Sequence, residues 1–182
     1  MYILKFYYEH IIKHDLINKF KYYNLKNIPK IKKIIINIGC SNYKIKNIAP
    51  AFLFLELLTN KSSLFTKTKK ANIFLKIKKG TPIGCVVVLT KIKIYKFLFK
   101  LLLEILPSLK NFKGITYKFH KLKCNSFSFY IKDLVVLKEF NPHFHLFNNL
   151  PAINITIITN TQNKNELIYL LQSFKLPLLP KN

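Results

Sequence analysis

Between Tyr7 and Phe20, apolar residues fall at Tyr8, Ile11, Ile12, Leu16 and Phe20. Steps of three and four predict an amphipathic helix. Asn27-Ile28-Pro29 breaks it. Lys32–Asn37 is β-branched and predicts a buried strand ending at Gly39. A second helix is expected over Ile48–Thr59, with Pro50 in its first turn. Asn60–Ser63 then reads as a turn. From Phe65 to Ile77, Lys alternates with apolar or small residues, the pattern of a strand or long ribbon. Lys78-Lys79-Gly80-Thr81-Pro82 is a basic turn, and Ile83–Thr90 is a strongly β segment. Tyr95–Leu106 predicts a third helix stopped by Pro107. Ile115–Phe119 and Ser126–Ile131 are candidates for a strand pair. Ile153–Thr159 is a further strand, and Lys164–Phe174 a last helix closed by Pro177.

The order α-β-α-β-β-α-β-β-β-α has no internal repeat and no Gly/Ser-rich linker. It predicts an α+β fold, with a mainly antiparallel sheet and helices packed on one face. One domain over residues 1–182 is expected: helix-strand-helix over 7–60, a basic ribbon and loop over 61–90, and helix, strands and closing helix over 91–182.

Charge sharpens this picture. All 31 basic residues are Lys, against seven Asp and Glu, so the net charge is 31 − 7 = +24. A chain so charged repels itself unless a polyanion lies beside it. Nucleic acid is the first choice and an acidic membrane surface the second. The missing Arg and Trp, with abundant Lys, Ile, Asn, Phe, Leu and Tyr, indicate A/T-rich coding of the organellar kind. Lysine cannot form the planar bidentate forks that Arg offers to phosphate and guanine. Cys40, Cys85 and Cys124 are dispersed and form no CxxC, so no disulfide framework is expected. The run Phe97–Leu106 is interrupted by Lys100 and Glu104, and no membrane span is expected. Glu9 and Asp15 within the first twenty residues argue against a transit peptide.

Three stretches stand out. Pro29-Lys30-Ile31-Lys32-Lys33-Ile34-Ile35-Ile36-Asn37-Ile38-Gly39 is a basic lead into a strand. Leu55-Glu56-Leu57-Leu58-Thr59-Asn60-Lys61-Ser62-Ser63-Leu64-Phe65-Thr66-Lys67-Thr68-Lys69-Lys70-Ala71 runs from a helix end into a Thr/Lys ribbon. Hydroxyls and ammoniums on one ribbon suit phosphates and sugar edges, although Lys also guards ordinary edge strands. Lys76-Ile77-Lys78-Lys79-Gly80-Thr81-Pro82-Ile83-Gly84-Cys85 puts three lysines beside a tight turn. Together these resemble large-subunit ribosomal protein five, the family that binds 5S rRNA in the central protuberance. Further matches are Tyr8 through Phe20 to Pro29, Leu106–Gly114, Asn154–Thr159 and Leu170–Pro177, in order along nearly the whole chain. The family's Gly-Gln after the second helix is Asn60-Lys61 here. Its glycine-rich stretch after the third helix is the glycine-free Phe119–Ser128.

The resemblance implies a structural constituent of an organellar large ribosomal subunit. Asn37, Thr59, Asn60, Ser62, Thr66, Lys67 and Lys69 would face rRNA: 5S rRNA where the organelle retains it, otherwise large-subunit rRNA. The loop Ile73–Gly84, with Lys76, Lys78, Lys79, Gly80 and Thr81, would reach peptidyl-site tRNA. A small-subunit head protein would be a further partner. Divergence from the bacterial-type pattern favours a mitochondrion, with a plastid second. The chief alternative is a basic peripheral subunit of an organellar membrane complex. An RNA-modifying enzyme ranks third, because the scattered acids offer no acid–base pair and no phosphate-binding glycine loop is present. His143 and His145 could share a strand face but lack a third ligand, so neither metal nor cofactor is expected.

Overall fold

The computed structural model describes residues 3–40, 45–74, 77–110, 112–132, 144–147 and 150–180. Helix α1 spans residues 3–19 as Ile3–Tyr7, a π-helical turn Tyr8–Ile12, and Lys13–Lys19. It starts one turn before the periodic stretch and ends where Phe20 becomes extended. Strand β1 is Ile31–Gly39, α2 is Ile45–Thr59, β2 is Leu64–Lys67 and β3 is Pro82–Thr90. Helix α3 covers residues 92–108, with a π-helical turn at Leu101–Ile105. Then come β4 (Ile115–Tyr117), β5 (Ser126–Ile131), the short α4 (Phe144–Phe147), β6 (Ile153–Thr159), α5 (Lys164–Ser173) and β7 (Leu178–Pro180).

The fold is α+β, built on a mainly antiparallel sheet in the order β2-β3-β1-β6-β5. Side chains alternate across a pleated strand, and the burial follows that period. Ile34, Ile36 and Ile38 of β1 are buried, as are Cys85, Val87 and Leu89 of β3. Phe127, Phe129 and Ile131 of β5 and Ile153, Ile155 and Ile157 of β6 are buried too. The residues between them are half-buried or exposed, apart from Gly84, so each strand has a core face and an outer face.

Three sequence expectations need correction. The ribbon over 65–77 is regular only at Leu64–Lys67; beyond it a single bridge joins Asn72 to Ile77. Hydroxyls hold the remainder. Thr68 Oγ1 donates to Lys78 O at 2.7 Å and Thr81 Oγ1 to the same oxygen at 2.9 Å. Second, β4 and β5 do not pair. β4 runs parallel to β7, a strand the sequence reading missed, while β5 flanks β6. Gly114, at φ +123, lets the chain approach closely enough for Ile115 N to donate to Pro177 O at 2.7 Å. Third, α2 begins at Ile45, so Pro50 lies inside the helix rather than in its first turn.

The chain forms two compact units. One comprises residues 1–34, 89–129 and 156–182. In it the Tyr8 ring stacks on Phe174 at 6.0 Å and 11°, with Tyr95 beside both rings. Tyr8 donates its hydroxyl to Pro29 O at 2.9 Å. Burial, then Tyr95, Glu9 and Tyr22, pushes the Tyr8 pKa up. The other unit comprises residues 35–88 and 130–155. Its interior holds Phe54, Leu55 and Leu58 of α2 and the core-facing residues of β3. Phe147 of α4 meets Phe54 edge-on at 5.8 Å.

Candidate nucleic-acid interface

Asn37 lies inside β1, two residues before its end, and does not stop the strand. It occupies the outer face and is half-buried. On neighbouring β6, Asn154 holds the corresponding kind of position. Both amide oxygens are buried and accept no hydrogen bond among the described residues. An orphaned buried acceptor costs about 1–3 kcal/mol. The sequence reading singled out Asn37 but not Asn154.

The turn after α2 is built by its own backbone demands. Asn60 takes φ 49, a left-handed conformation that Asn tolerates better than most residues. Its N–H donates to Glu56 O at 2.8 Å. Glu56 accepts the Ser63 N–H at 2.9 Å through Oε1, and Ser63 Oγ donates to Phe52 O at 3.3 Å. Thr59 Oγ1 is committed to Leu55 O at 2.7 Å. Asn60 and Ser62 remain exposed. Lys61, which the sequence reading passed over, donates its ammonium to Val88 O of β3.

Thr66 of β2 stands opposite Gly84 of β3. A Cβ built on Gly84 would meet Ile38 O at 2.4 Å and Thr66 Oγ1 at 3.0 Å. Only glycine therefore allows this approach. A bulge between Thr66 and Lys67 sets Lys67 opposite Pro82. Lys67 and Lys69 are exposed, and so are Lys78, Lys79 and Gly80 at the turn. Gly80 takes φ +85, as a tight turn requires. Thr81 is half-buried and bound into the hairpin base. Ile73 and Phe74 are almost fully exposed on the same loop, at 90% and 99%. Lys76 lies outside the described residues. Residues 59–69 and 77–84 thus make one continuous structure. Asn37 sits two strands from Thr66, with β3 between them.

Seven carboxylates cannot neutralise 31 lysines, and one of them, Glu9, pairs with Lys5 at 3.5 Å. Cys85 is fully buried, and burial, with Cys40 nearby, pushes its thiol up to about 11. Burial also raises the Cys40 thiol. Such thiols are poor nucleophiles at neutral pH. No group of three His, Cys, Asp or Glu residues is gathered to hold a metal among the described residues. His143 and the side chain of His145 fall outside them. No helix among the described residues is long and apolar enough to cross a membrane.

These surfaces define a small, basic α+β protein that presents lysines and hydroxyls where an enzyme would gather acids, bases and nucleophiles. Residues 82–178 match the C-terminus model of the ribosomal uL5 family. The chain is 40% identical over 177 residues to large ribosomal subunit protein uL5m of Reclinomonas americana, covering 96% of this chain and 97% of that one. It is 32% identical over 165 residues to uL5 of Geotalea uraniireducens, at 90% of each chain, and 31% identical over 176 residues to uL5 of Pelobacter propionicus, at 96% and 97%. The chain belongs to the uL5 family. It is a non-enzymatic structural constituent of the large ribosomal subunit, and its compartment is the mitochondrion.

Proposed function

We propose that this chain binds rRNA in the central protuberance and bridges it to peptidyl-site tRNA and the small-subunit head. The RNA is 5S rRNA, or large-subunit rRNA standing in its place. Asn37, Asn60, Ser62, Thr66, Lys67 and Lys69 face it, joined by Lys61; Thr59 shapes the turn. Phosphate neutralisation supplies most of the affinity, with little base readout. Lys78 and Lys79 meet the tRNA.

The observation that carries this reading is the hairpin. Thr68 and Thr81 share Lys78 O, and their hydroxyls lie 3.2 Å apart. The turn is thereby stiffened while its lysines stay in solvent, and burying them unpaired would cost several kcal/mol each. The test is Lys78→Ala with Lys79→Ala in reconstituted subunits. Assembly should be preserved, because exposed changes cost less than about 0.5 kcal/mol. Retention of tRNA should fall, most visibly at raised salt. Equal retention at every salt concentration would remove the tRNA role. Lys67→Ala with Lys69→Ala should flatten the salt dependence of rRNA binding by about 1.8 in log–log slope.

A further inference from the structure

A cleft of about 420 Å³ opens in the other part of the molecule, within the unit that contains α1, α3 and α5. That volume falls within the range of about 300–1,000 Å³ typical of ligand sites. One wall is the outer face of β5 and β6: Ser126, Ser128 and Thr156. Ser128 Oγ and Thr156 Oγ1 lie 2.9 Å apart, a hydroxyl pair that shares one proton and retains free lone pairs. The opposite wall is the segment 116–123, with Tyr117 and Leu122 half-buried. Lys118, Lys121 and Lys123 stand exposed on the rim, and no carboxylate lines the cleft.

The segment is braced from behind. Lys164 donates to Phe119 O at 3.1 Å and His120 O at 3.2 Å, and its ammonium lies 5.4 Å from the Phe119 ring centroid. Thr161 Oγ1 donates to Cys124 O, and Thr159 N to Asn125 O at 2.9 Å. Lys123 bridges to Ser126. One lysine is thus committed to holding the loop, and three others are left at the mouth. This is the glycine-free stretch 119–128, to which the functional reading above gives no role.

We propose that this cleft holds one nucleotide of a single-stranded RNA segment, distinct from the RNA at the turn after α2. The rim ammoniums take the phosphates and the Ser128–Thr156 pair takes the ribose. The half-exposed Tyr117 ring offers a stacking face for the base. An acidic peptide would use the lysines but leave the ring and hydroxyls without a role. The proposal rests on the reading of the chain as an RNA binder, but on different residues.

Anisotropy of fluorescein-labelled hexauridylate with the full chain tests it across a salt series. Three variants are compared: Lys118→Ala/Lys121→Ala/Lys123→Ala, Ser128→Ala/Thr156→Ala, and Lys67→Ala/Lys69→Ala. The triple variant should bind at least about tenfold more weakly, with its log–log salt slope smaller by about two, at −0.7 per phosphate. The hydroxyl variant should bind a few-fold more weakly at unchanged slope, and the Lys67/Lys69 variant like the wild type. Thermal melts monitor folding; if the triple variant is unfolded, the hydroxyl variant decides. Unchanged affinity in the triple variant, or in the hydroxyl variant when it decides, would overturn the proposal. So would displacement by hexaglutamate as effective as by hexauridylate, or UMP binding as tightly as the hexamer. A wild type that bound neither hexauridylate nor rRNA would refute RNA binding altogether; normal rRNA binding with an unaffected triple variant would refute the cleft alone.

Discussion

Gly84 sits where β3 meets β1, and its replacement by Ala puts the geometry to the test. The added Cβ would lie 2.4 Å from Ile38 O, 3.0 Å from Thr66 Oγ1 and 3.3 Å from the Gly39 Cα. A carbon–oxygen contact under 3.0 Å forces movement, and the nearest atom is backbone. Relief must come from parting β3 and β1, which are also held by Cys40 N donating to Ile83 O at 2.9 Å. Overpacking of this kind costs about 1–3 kcal/mol. For a chain of this length about 2 kcal/mol lowers Tm by roughly 4–8 °C. Two controls separate sterics from backbone freedom. Gly39→Ala should be nearly silent, because nothing lies within 4 Å and no positive φ is required there. Gly80→Ala also meets nothing within 4 Å, but its φ of +85 should cost about 1 kcal/mol. Thermal melts by circular dichroism rank the three variants. If Gly84→Ala melted within about 1 °C of the wild type, or above Gly39→Ala, the close approach of β3 to β1 would be refuted.

Other predictions address separate parts of the molecule. Iodoacetamide at pH 8 should label the exposed Cys124 first and leave buried Cys85 untouched until the chain unfolds; early Cys85 labelling in mass spectra would contradict its burial. The Cys85 thiol titrates near 11 when folded against 9.0 ordinarily, so its contribution to stability is complete below pH 9 and declines as pH rises towards 11. Urea melts from pH 8 to 11 check the sign, and a Cys85→Ala variant should show a shallower decline. Lys175 closes α5 at φ 63, so Lys175→Gly should raise stability by about 0.5–1 kcal/mol; a lower Tm would count against the left-handed cap.

Sequence reading served best where burial is one-sided and regular. The alternating Ile residues of β1 and β6 announce strands because every second side chain meets the core. It did poorly on β7, whose three residues follow Pro177 and carry no period. Its pairing with β4 depends on Gly114 and on a carbonyl sixty-two residues beyond Ile115, information no local window contains. The hairpin was legible in outline: lysines and glycine marked a projecting turn. Its order comes from threonine hydroxyls instead of a strand ladder, so the ribbon was drawn too long. Lys61 was overlooked because it replaces another residue of the family pattern; only its contact with Val88 O reveals its place. The cleft between 116–123 and β5 was invisible because two strands and a loop supply its walls.

The stack of Tyr8 on Phe174 also imposes a schedule on synthesis. Tyr8 and Phe174 are 166 residues apart, and at 5–20 residues per second that interval lasts about 8–33 s. The first helix is made early, yet the ring that covers it comes near the end of the count. The β4–β7 ladder likewise waits for Leu178. Throughout that interval the nascent chain exposes an amphipathic helix and an unpaired strand while its lysines accumulate beside the polyanionic ribosome that is making it. Chaperone occupancy of the first helix should therefore persist almost to release, and ribosome profiling with chaperone pull-down would record it.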